Sequence, residues 1–65
     1  MAEIKKRQPN KVLLDWCQLI REEGRGVTDW EEHFIDSLEA ILIEGERISE
    51  RQEELLENIY TQRTS

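Results

Sequence analysis

The 65-residue chain predicts an all-α fold, a small three-helix arrangement in which helices 2 and 3 form an antiparallel hairpin and oligomerisation can complete the core. Three observations predict it. Apolar residues recur at helical spacing in three separate stretches. Glycines punctuate the chain between those stretches. Two capping-box patterns, Thr28-Asp29-Trp30-Glu31 and Ser49-Glu50-Arg51-Gln52, mark helix starts. No alternating apolar-polar pattern of a half-buried strand competes with them, since the one aliphatic run, Ile41-Leu42-Ile43, sits inside a helical pattern.

Residues 1–10 read as a basic, flexible arm ending in Gln8-Pro9-Asn10, with Pro9 or Asn10 near the first helix start. Residues 11–65 read as the helical domain. Helix 1 is expected over about 11–23, where Val12, Leu13, Trp16, Cys17, Leu19 and Ile20 share one side. Gly24-Arg25-Gly26 stops it, because glycine accepts the left-handed conformation that ends helices. Helix 2 is expected over about 28–44, with Trp30, Phe34, Ile35, Leu38, Ile41 and Leu42 as its stripe and Gly45 as its terminator. Helix 3 is expected over about 49–62, with Ile48, Leu55, Leu56, Ile59 and Tyr60 inward and the Gln52 amide serving the cap. Leu14 and Ile43 fall off their stripes. Trp16, Trp30 and Phe34 are expected in the core, because so short a chain has little other bulk to bury.

Size sharpens the self-association expectation. A domain this small buries only about 60% of the surface its unfolded chain exposes, and such domains commonly need a disulfide, a metal or a second copy. The single cysteine, Cys17, excludes an internal disulfide. Leu14, Trp16, Ile43 and Tyr60 are the candidate self-association residues. The start Met1-Ala2-Glu3-Ile4-Lys5-Lys6-Arg7 lacks the apolar stretch of a secretory signal, no window approaches a membrane span, and a lone thiol fits a reducing compartment. A cytoplasmic protein without membrane contact is therefore expected.

Charge is uneven. Residues 1–11 carry Lys5, Lys6, Arg7 and Lys11 against Glu3, a net of +3; residues 12–65 carry 5 Arg against 14 carboxylates, a net of −9. An acidic body argues against phosphate-backbone binding by the folded part, so no direct nucleic-acid contact is expected there. Glu50, Glu53, Glu54 and Glu57 stand at i, i+3, i+4 and i+7 on helix 3, and Glu32, Asp36 and Glu39 share a face of helix 2. Such like-charged neighbours cost a few tenths of a kcal/mol per pair. A solvated, solubilising face explains them, and so does a surface that meets a basic protein partner.

No constellation for catalysis emerges. His33, with Asp29 and Asp36 at helical spacing, offers a single imidazole, whereas zinc sites want three or four soft or imidazole ligands. Cys17 lies on the apolar side of helix 1, away from any helix N-terminus. The carboxylates are numerous, but a bundle this small lacks the cleft that tunes paired acids. Neither a metal, a cofactor nor an enzymatic activity is expected.

Ile48-Ser49-Glu50-Arg51-Gln52-Glu53-Glu54-Leu55-Leu56-Glu57-Asn58-Ile59-Tyr60 resembles the opening helix of helix-turn-helix domains of the LexA and LuxR kind. In those families a turn and a recognition helix follow, and no such element follows Tyr60 here, so no DNA-contacting residue carries over. Phe34-x-x-Ser37-Leu38, then Gly45, then Ile48-Ser49-x-x-Gln52, resembles helical-hairpin segments of small phage-type and replication-associated proteins. That resemblance implies an accessory or inhibitory role. Two functions are thus expected in order: a self-associating acidic interaction module, accessory or regulatory in role, or a phage- or mobile-element-type inhibitor whose acidic helix faces imitate nucleic acid. A DNA-binding regulator working through the basic arm ranks behind both.

Overall fold

A computed structural model describes residues 8–64 and contains three helices: α1 (Asn10–Glu23), α2 (Asp29–Ile43) and α3 (Glu50–Thr64). No strand occurs among the described residues. The proposed basic arm falls mainly on residues 1–7, which lie outside the described part. Its last three residues do not hang free. The Gln8 amide donates to Glu53 Oε2 at 3.0 Å, and Asn10 Nδ2 donates to the carbonyls of Leu42 (3.4 Å) and Glu46 (2.9 Å). Arg47 donates from Nη2 to the Gln8 carbonyl (3.3 Å) and from Nη1 to Asn10 Oδ1 (3.4 Å). The start of α1 is thereby tied to the turn between α2 and α3.

Local signals set the helix ends. Pro9 precedes α1 with φ −69°, and its carbonyl accepts from Val12 and Leu13. The Thr28 capping box forms in both directions: Glu31 N–H donates to Thr28 Oγ1 at 3.1 Å, and Thr28 N–H donates to Glu31 Oε1 at 2.9 Å. Ser49 and Gln52 repeat the pair at 3.1 and 2.8 Å. At the end of α2, Gly45 adopts φ 87°, its N–H donates to the Leu42 carbonyl, and Glu46 N–H reaches back to Ile41. This is the Schellman pairing, and it requires the left-handed residue at Gly45. Gly24 acts differently from expectation. Its φ is −68°, so it is not left-handed; its N–H donates to the Ile20 carbonyl at 2.9 Å, and a Cβ there would stand 2.3 Å from that oxygen. Gly24 is needed for close approach.

One core joins the helices. Leu13, Cys17 and Ile20 of α1, Ile35, Leu38 and Leu42 of α2, Ile48 before α3, and Leu56 and Ile59 of α3 are all buried. Helix α1 packs against both others, most extensively against α3, while α2 and α3 touch each other least. The expected pairing of helices 2 and 3 is therefore the sparsest of the three packings, and α1 contacts both of them. At about 25 cal/mol per Å², a fully buried aliphatic side chain contributes about 1.5–3 kcal/mol. Leu13 and Ile20 of α1 each make such a contribution, with Cys17 filling the space between them.

Two placements depart from the sequence expectation. Trp30, expected in the core, is 62% exposed and stacks flat on half-buried Phe34, with ring centroids 5.1 Å apart and planes 8° apart. On α3, Leu55 is 37% exposed, while Glu53 is inside, at 6% exposure. The inward face of α3 is rotated toward Glu53 and Tyr60, because Tyr60 stacks on Trp16 of α1 with centroids 5.2 Å apart and planes 13° apart. A buried carboxylate needs hydrogen-bond donors, and the Gln8 amide supplies one.

Candidate interaction surface

The carboxylates proposed to meet a partner divide into three groups. Glu50 and Glu54 of α3, and Glu32 and Asp36 of α2, are exposed; Glu39 and Glu57 are half-buried; Glu53 is enclosed. The stripe of four on α3 is therefore not a continuous outer face. Helical spacing places Glu53 beside Glu50, Glu54 and Glu57, but the rotation of α3 carries it under the chain at Gln8. The acidic surface of α3 is Glu50 and Glu54, with Glu57 at its margin.

On α2 the acidic face is partly neutralised from within. Arg21 of α1 bridges it, pairing with Asp36 and, at 2.8 Å from Nη2, with Glu39 Oε1. Exposed ion pairs of this kind contribute about 0–1 kcal/mol, so they orient α1 more than they stabilise it. Beside them, between the end of α1 and the start of α2, lies an open groove of about 400 Å³ with Ile20, Val27 and Ile35 as its floor and Arg21, Glu32 and Asp36 at its rim. A groove this open lacks the enclosure that a small-molecule site provides.

A further ion pair, not anticipated from the sequence, closes the far end of the molecule. Arg63 donates from Nε and Nη2 to the two carboxylate oxygens of Glu31 at 3.2 and 3.1 Å. Arg25 N–H also donates to the Arg63 carbonyl at 2.9 Å, so the loop after α1, the start of α2 and the end of α3 meet there. The Thr28 amide and then the Arg63 guanidinium hold the Glu31 carboxyl below its ordinary value of 4.5. Only the capping half of this arrangement was legible beforehand, because nothing in linear spacing relates residue 31 to residue 63.

The self-association candidates separate as well. Trp16 and Tyr60 stack on each other inside one chain, and Leu14 is half-buried against the core. Ile43 is 69% exposed, on the flank of α2 that carries Glu32, Asp36 and Glu39. Cys17 is fully enclosed; burial first, and Glu39 second, push its thiol up to about 11, with Arg21 opposing. It therefore stays protonated near neutrality, the wrong state for a nucleophile. His33 is exposed, and among the described residues no three His, Cys, Asp or Glu side chains converge as ligands for a metal ion. Among the same residues, no helix is long and apolar enough to cross a membrane.

Comparison of the chain with protein-family models, curated proteins and solved structures finds no match.

Proposed function

We propose that the chain is a small, cytoplasmic, self-associating interaction module, accessory or regulatory in role, whose acidic exterior engages a basic surface on a partner protein. The observation that carries this reading is the division of labour in the molecule. Its aliphatic residues are concentrated in one core, while Glu32 and Asp36 on α2 and Glu50 and Glu54 on α3 face solvent. A net charge of −6 on 65 residues raises a field that draws cationic surfaces and repels phosphate backbones. The enclosed thiol of Cys17 and the isolated His33 support a binding role over a catalytic one. The nucleic-acid-mimic reading asks for evenly spaced surface charge, and the inward turn of Glu53 interrupts that spacing on α3.

The test is affinity capture from the native host, comparing the wild-type chain with a variant carrying Glu32→Lys, Glu50→Lys and Glu54→Lys. The wild type should retain basic proteins that elute as salt rises, since screening shortens the reach of exposed charges to about 8 Å at physiological ionic strength. The variant, with unchanged helicity by circular dichroism, should lose them. A captured protein held equally by both chains contradicts the proposal.

A further inference from the structure

Two properties meet in the groove between the end of α1 and the start of α2. Its floor is aliphatic: Ile20 comes from α1, Val27 from the connecting loop and Ile35 from α2, below a volume of about 400 Å³. Gly24 lets that loop turn back closely, since a Cβ there would stand 2.9 Å from Val27 Cγ2. The rim is anionic. Glu32 and Asp36 stand one helical turn apart on the same side of α2, and both are exposed. Arg21, the cation at the rim, is shared between Asp36 and Glu39, so one guanidinium meets two carboxylates. Glu32 has no cationic partner among the described residues. One positive and three negative side chains thus leave the groove with a net charge of −2 beside it.

We propose that this groove receives a lysine or arginine side chain of the basic partner, with its methylene stem along Ile20, Val27 and Ile35 and its charged head at Glu32. The inference rests on the acidic-surface part of the proposed function and gives it a defined point of entry. Charge and shape select the occupant together. The rim repels an acidic side chain or a phosphate. A leucine would strip water from Glu32 and Asp36 without returning a hydrogen bond. A long cationic side chain satisfies both parts, because its stem covers apolar surface while its head stays at the edge of the water with the carboxylate. Glu50 and Glu54 do not line this groove, so a cation there gains charge pairing alone. Size agrees: about 400 Å³ is close to the volume of one turn of a helix about 10 Å across, enough for side chains and too little for a docked helix.

Proton–nitrogen correlation NMR of the full chain tests this at low ionic strength with blocked peptides of the form Gly-Gly-X-Gly-Gly. X is lysine, arginine, norleucine (the stem without the charge) or diaminopropionic acid (the charge without the stem). The lysine and arginine peptides should shift the amides of Val27, Glu32, Ile35 and Asp36 saturably, and the other two should bind more weakly by about threefold or more. Glu32→Gln should weaken the lysine peptide by about threefold or more, the range of an exposed ion pair. Glu50→Gln and Glu54→Gln should leave it within a factor of about two, and circular dichroism verifies the folding of each variant. Lysine binding no tighter than either control peptide, or unchanged by Glu32→Gln, overturns the groove. Shifts at Glu50 and Glu54 in its place overturn it as well and leave the acidic-surface reading standing. No shift with any cationic peptide overturns both.

Discussion

Cys17 shows how burial decides chemistry at the scale of one residue. With no exposed surface and its thiol pushed up to about 11 from an ordinary 9.0, the thiolate is rarer by about two orders of magnitude than at an open site. The folded-state value is raised, so the associated stability is fully present below pH 9.0 and is lost as pH rises through about 11. Labelling with a thiol reagent at pH 8 should therefore proceed only as fast as the chain opens, and about 4 M guanidinium should accelerate it by several orders of magnitude. Rapid stoichiometric labelling of the native protein would contradict the enclosed position. The thiol's burial was readable from its place between Trp16 and Ile20 on an apolar stripe. Glu53 was not readable. Its spacing with Glu50, Glu54 and Glu57 fits an outer stripe, and nothing in that spacing foretells the bond that it accepts from the Gln8 backbone N–H, 45 residues earlier.

Among the elements, the ends were more legible than the rotations. Thr28 with Glu31, Ser49 with Gln52, and Gly45 announce their caps because capping is local: the donor, the acceptor and the left-handed residue all lie within a few positions of one another. Removing the Thr28 hydroxyl should cost about 1 kcal/mol. Thr28→Ala is expected to lower the urea midpoint without altering its slope, while Thr28→Ser restores most of the loss. An unchanged midpoint for Thr28→Ala would mean that the box carries no stability. Which way each helix turns is a non-local matter. On α3 only Leu56 and Ile59 are both aliphatic and buried, so its pattern alone does not choose between Leu55 and Glu53 as the third inward residue. The stack of Tyr60 on Trp16 makes that choice. Trp30 was misjudged for a related reason: it lies on the edge of the α2 stripe, where its ring stacks on Phe34 and does not enter the core.

For the whole molecule, the three-helix class followed from periodicity, but the central place of α1 did not. Periodicity places an apolar stripe on α1 but does not say whether that stripe packs on the chain's own α2 and α3 or on a second chain. In fact Leu13, Cys17 and Ile20 enter the same core as Ile35, Leu38, Leu42, Leu56 and Ile59, and the contacts of Asn10 and Arg47 fix its start. The acidic exterior proposed to bind depends on that single shared interior.

The most direct measurement is urea unfolding of a Trp30→Phe chain at low micromolar concentration, followed at once by far-ultraviolet circular dichroism and by the fluorescence of Trp16, its remaining indole. Coincident curves with one midpoint are predicted, because α1 unfolds only with the core it shares. An earlier fluorescence transition, leaving most of the helical signal intact, would show α1 detaching by itself and would contradict the account.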